Sequence, residues 1–175
     1  MGEIAVSADP AEELVALGLG SCIGLAIVDR TARVAGLVHV VLPESNQATG
    51  PAGKFADLAV PELIRQLRAL GAVERRFETV IVGGARMFET SGGLDIGARN
   101  EKAVRSALAA VRMTIHAAQT GGNQGRTVRV AVGEGIITCR TAGTPAVTLL
   151  PAAGRGARPV ARPRPTLVAT AGGRS

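Results

Sequence analysis

The chain has 175 residues, 46% of them apolar, but its only aromatic side chains are Phe55, Phe77 and Phe88. Twenty Lys and Arg against 14 Asp and Glu give a formal net charge of +6. This composition fits one domain with a core of Val, Leu, Ile and Ala. It denies single-stranded nucleic acid the aromatic faces on which bases stack, and it holds no apolar run long enough for a transmembrane helix. Five of the 20 basic residues lie in residues 151–175, which carry no acid, leaving 15 bases against 14 acids in residues 1–150. The start, Met1-Gly2-Glu3-Ile4, has no basic region followed by an apolar run, so no secretory signal is expected. Cys22 and Cys139 are too far apart for a CxxC motif, and free thiols in the reducing cytoplasm are expected.

In chain order, residues 14–42 predict two β-like runs around a turn. Ile23, Leu25 and Ile27 alternate with smaller residues up to Asp29-Arg30-Thr31, and a Val-rich run from 34 to 42 returns and closes at Pro43. Gly50, Pro51 and Gly53 make a loop. Leu63, Ile64, Leu67 and Leu70 recur at helical spacing over 55–70, with Pro61 assigned to the first turn, where its missing donor costs little. Residues 79–82 read as a short buried strand running into Gly83-Gly84. Asn100 opens a second helix bearing Ala103, Val104, Ala107, Leu108 and Val111, where it either caps that helix or, with Arg99, lines the substrate cleft. Residues 113–119 predict another strand, and 128–132 with 136–140 a hairpin around Gly133-Glu134-Gly135. Strands before and after two helices, without strict alternation, indicate an α+β domain over residues 1–142. Residues 143–175, rich in Pro, Gly and Arg, bury too little to offset about 1–2 kcal/mol of backbone entropy per residue and are expected to form a disordered tail.

The chemistry concentrates in Leu17-Gly18-Leu19-Gly20-Ser21-Cys22, followed 17 residues later by His39. Glycines 18, 20 and 24 let the backbone bend around the cysteine. The N–H groups of Gly20, Ser21 and Cys22 can then converge on a negative oxygen. A thiol on such a bend becomes a nucleophile when a base is near, and antiparallel pairing of the two runs would carry His39 beside Cys22. The plain alternatives are a small core cysteine and a buried structural histidine. Cys139 and His116, mid-strand and without a glycine frame, read as structural. Neither a GxxxxGK[ST] loop nor the dinucleotide glycine spacing occurs. No ligand cluster has metal-binding spacing, so neither metal nor cofactor is expected.

The string from Leu17 to Cys22 and Ala35-Gly36-Leu37-Val38-His39-Val40-Val41-Leu42-Pro43 resemble the CheD family of chemoreceptor glutamine deamidases. Further blocks agree in order: Lys54-Phe55-Ala56-Asp57, Gly83-Gly84-Ala85 with Met87-Phe88-Glu89, Ile96-Gly97-Ala98-Arg99-Asn100, and Thr120-Gly121-Gly122-Asn123. The resemblance spans roughly residues 3–140. It implies layered β-sheets with two main helices packed on one side, and a Cys–His hydrolase converting receptor glutamines to glutamate, with Cys22 as nucleophile and His39 as base. It also implies chemoreceptors as substrates and a CheC-type phosphatase as a docking partner. The family's third catalytic residue, a threonine six positions before the cysteine, falls on Ala16. A backbone carbonyl, or the side chain of Thr120, Ser21 or Asn123, would then have to orient the histidine. If none does, the chain is a weakened module that binds receptors or the phosphatase without turnover.

Overall fold

Alternating apolar residues build ten strands and two α-helices among the described residues of the computed structural model, which cover 1–46, 48–87, 95–152 and, by backbone alone, 164–169. The strands are β1 (Ile4–Ser7), β2 (Glu12–Leu19), β3 (Ile23–Asp29), β4 (Val34–Val40), β5 (Glu78–Gly83), β6 (Ile115–Thr120), β7 (Arg126–Ala131), β8 (Ile136–Thr141), β9 (Val147–Leu150) and β10 (Arg164–Ala169). The helices are α1 (Ala56–Ala69) and α2 (Ile96–Ala110). One sheet has the order β1-β4-β3-β5-β6 and the other β10-β2-β7-β8-β9. No helix is long and apolar enough to cross a membrane.

The central hairpin β3–β4 is buried on both faces, which is why its residues are apolar almost without interruption. Odd positions of β3 and even positions of β4 (Ile23, Leu25, Ile27, Val38, Val40) meet Val60, Leu63 and Leu67 of α1 and Val104 and Leu108 of α2. The opposite positions (Ala26, Val28, Ala35, Leu37) meet Leu14, Leu19, Val128, Val130 and Ile137 of the second sheet. The result is three layers, both helices on one side, in agreement with the α+β reading.

Four local expectations change. Residues 14–42 hold three strands rather than two, because β2 leaves the first sheet and pairs with β7, Leu14 opposite Val130 and Ala16 opposite Val128. Pro61 lies inside α1 beyond its first turn, on the exposed side, where the freed carbonyl of Asp57 can reach water. Asp95, not Asn100, caps α2, accepting a hydrogen bond from the Ala98 N–H at 3.0 Å. Ordered backbone also extends past residue 142: β9 pairs with β8 and β10 runs parallel to β2, both within the stretch 143–175 expected to be a tail. A sheet edge offers ladder partners to a weakly apolar segment, and composition alone does not reveal such an edge. Residues 153–163 and 170–175 lie outside the described residues, as do Phe88 and Glu89.

Candidate active site

The antiparallel register of β3 and β4 sets His39 opposite Gly24, and Cys22 lies one diagonal step away. Both belong to the inter-sheet face: Cys22 packs on the cluster containing Ala26 and Leu37, and His39 follows Leu37 on the same side of β4. The two residues picked out by sequence are therefore neighbours on one face. No hydrogen bond joins them in this resting arrangement, and neither His39 nitrogen has a partner among the described residues. His39 is 1% exposed while Cys22 is partly open.

Burial dominates the electrostatics. It raises the Cys22 thiol above its ordinary value, against a smaller pull from the α-amino group of Met1. It lowers His39 to about 4, assisted by the same amino group. Both shifts favour the uncharged forms. The pair rests as thiol and imidazole.

The backbone of the Cys22 bend is fixed by three successive carbonyls. Gly20 O accepts from Ala85 N–H (2.8 Å), Ser21 O from Asn100 Nδ2 (2.9 Å), and Cys22 O from Gly84 N–H (2.8 Å). In a trans peptide the N–H points opposite to the carbonyl, so each pinned carbonyl directs the next residue's N–H away from its anchor. Among the described residues the N–H groups of Ser21 and Cys22 find no acceptor. Both are therefore free to donate to a bound oxygen, the role that the sequence suggests for residues 20–22.

Close approach explains Gly83. Its φ is +118°, and a Cβ there would sit 2.1 Å from the carbonyl oxygen of Cys22. Gly83→Ala should cost about 1–3 kcal/mol in urea unfolding. It should also shift the Cys22 bend, because the Cys22 carbonyl must move.

The orienting role expected of Thr120 is not met. Its hydroxyl donates to Glu101 Oε1 on α2 at 2.8 Å. Asn123 is exposed on the turn after β6, and Ala16 is wholly buried between the sheets. Asn100, for which the sequence left a helix cap and a place at the cleft open, does not cap α2 and reaches the Cys22 bend. The signal was its spacing: Asn100, Val104 and Leu108 form one buried stripe of α2, so a polar residue stood at a core position. Among the described residues, no cluster of His, Cys and acids is placed to hold a metal ion.

Comparison with known proteins gives a consistent family. The CheD family model, described as CheD chemotactic sensory transduction, matches residues 41–141. A protein named probable chemoreceptor glutamine deamidase CheD from Clostridium novyi is 41% identical over 139 residues, covering 77% of this chain and 86% of that one. One of the same name from Symbiobacterium thermophilum is 42% identical over 149 residues, covering 82% and 90%. The chemoreceptor glutamine deamidase CheD of Thermotoga maritima is 42% identical over 143 residues, again covering 82% and 90%.

Proposed function

The chain belongs to the CheD family, and from that premise we propose that it is a protein-glutamine deamidase converting glutamine side chains of chemoreceptors to glutamate and ammonia. The observation that carries this reading is the meeting of Cys22 and His39 on one face beside a backbone whose free N–H groups can hold an oxyanion.

A carboxamide is a weak electrophile with a poor leaving group, so it needs a strong nucleophile and a proton for the departing nitrogen. His39, neutral at pH 7, takes the thiol proton as Cys22 Sγ attacks the side-chain carbonyl carbon. The N–H groups of Cys22 and Ser21 hold the resulting oxyanion. The imidazolium returns its proton to nitrogen, the C–N bond breaks, and ammonia leaves a thioester. His39 then draws a proton from water, whose oxygen attacks the thioester and releases glutamate and the thiol. A glutamyl methyl ester would enter the same acyl-enzyme, losing methanol instead. The reading places the enzyme in the cytoplasm, where Cys22 stays a free thiol. It also takes a CheC-type phosphatase as a docking partner. The test is ammonia release from a receptor fragment by the native chain and by Cys22→Ala. Equal release from both would overturn the reading.

Ala16 leaves the imidazole without the hydroxyl that the family places there. Ala16→Thr should raise kcat by about tenfold, a fraction of the roughly 10⁴ that loss of an orienting group costs a serine triad. An unchanged kcat in a folded variant would show that packing alone holds His39 in its working rotamer.

A further inference from the structure

We infer that Asn100 is the positioning residue that aims the oxyanion-binding N–H of Cys22; this rests on the proposed thioester chemistry. Asn100 is fully buried, beyond the first turn of α2, and does not cap its own helix. Its side-chain amide donates one hydrogen to Ser21 O and the other to Val41 O, each at 2.9 Å. Ser21 precedes the nucleophile, and Val41 follows the base by two residues. One amide thus ties the nucleophile's loop to the end of the base's strand.

The direction of the tie matters as much as its strength. Helix α2 packs on the helix side of the first sheet, whereas Cys22 and His39 face the other side. Drawing the Ser21 carbonyl toward α2 turns the Cys22 N–H, across the same trans peptide, away from α2 and toward the face where the substrate carbonyl must lie. The neighbouring carbonyls are held by backbone donors just past β5, but the Ser21 carbonyl is held by this side chain. Without Asn100 that peptide is free to rotate, and the donor is lost at the moment charge develops on oxygen.

Two variants test this. Asn100→Leu keeps the volume and removes both donors; Asn100→Asp keeps the shape and sets a carboxyl against two carbonyls. In each, kcat for ammonia release from a receptor fragment should fall about 10²-fold, as on removing one oxyanion donor, with KM changed less than about twofold. Alkylation of Cys22 by iodoacetamide, followed at that residue by mass spectrometry, builds no tetrahedral oxyanion and should keep its native rate within about twofold. Native kcat in a folded variant would overturn the inference. So would equal losses of kcat and alkylation, which would mean a general collapse of the loop. Should neither variant fold, the native protein decides: a glutamine-derived aldehyde bound to Cys22 should move the Cys22 amide proton downfield in NMR, and an unmoved resonance overturns the inference. Normal deamidation by Cys22→Ala would sink the proposed function itself; normal deamidation by the Asn100 variants, with Cys22→Ala dead, would sink only this inference.

Discussion

Cys22→Ala and His39→Gln should each reduce glutamine turnover by at least about 10³-fold, and the double variant should be no slower than the poorer single one. The upper range for a positioned acid–base group is about 10⁴, and in the proposed mechanism one imidazole serves twice, as base for the thiol and acid for ammonia. Groups that act as one unit fail together, so their losses do not add. Two losses that multiplied would mean that thiol and imidazole work in separate steps. A His39→Gln variant above a tenth of native turnover would end the assignment of His39 as base.

The same pair predicts an acid limb. A histidine held down to about 4 by burial must be neutral to accept the thiol proton. Activity should be present well above pH 4 and fall as His39 protonates, half lost near pH 4 rather than near the ordinary 6.5. Stability follows the same sign: the unfolded chain binds the proton more readily between 6.5 and 4, so His39's contribution is complete above 6.5 and is lost as pH falls toward 4. Circular dichroism beside the rate profile separates lost catalysis from lost fold.

How far sequence carried the structure depends on whether a residue's partner was local. Cys22 and His39 sit on two runs joined by a tight turn, so period-two alternation and one antiparallel register sufficed to place them on a shared face. Ile23, Leu25 and Ile27 announced the buried strand for the same reason. Thr120 was misjudged because its acceptor, Glu101, lies on a helix 19 residues back. Asn100 carried two signals, a helix-cap residue type and a core-stripe position, and the stripe won because Asp95 was already placed to cap. β2 and β10 escaped notice because pairing between distant segments is set by which sheet edge is open, a property of the assembled layers.

Asp29→Ala should cost about 1–3 kcal/mol of stability, the range for leaving buried hydrogen-bond donors without their acceptor, with little change in kcat per folded molecule. Asp29 closes β3 at 0% exposure. It accepts the N–H groups of Thr31 and Ala32 in the β3–β4 turn at 3.1 Å, and that of Val73 at 2.8 Å. Arg76 completes the set, with Nη2 donating at 2.7 Å. Burial alone would raise this carboxyl, but the Arg76 guanidinium and the backbone donors outweigh it and hold it below the usual carboxylate range. Its contribution is therefore present above the unfolded pKa and fades as pH falls toward the folded one. Asp29→Asn is no mild change, because the new NH₂ would face donors rather than acceptors. Arg76→Met should cost less, since the three backbone donors remain. β3 separates Asp29 from the Cys22 bend by about 20 Å, so urea midpoints should fall while ammonia release by the folded fraction stays near native. A loss below about 1 kcal/mol would mean that water replaces the carboxylate, and that the turn carrying β3 into β4, and with it the register of Cys22 and His39, holds without it.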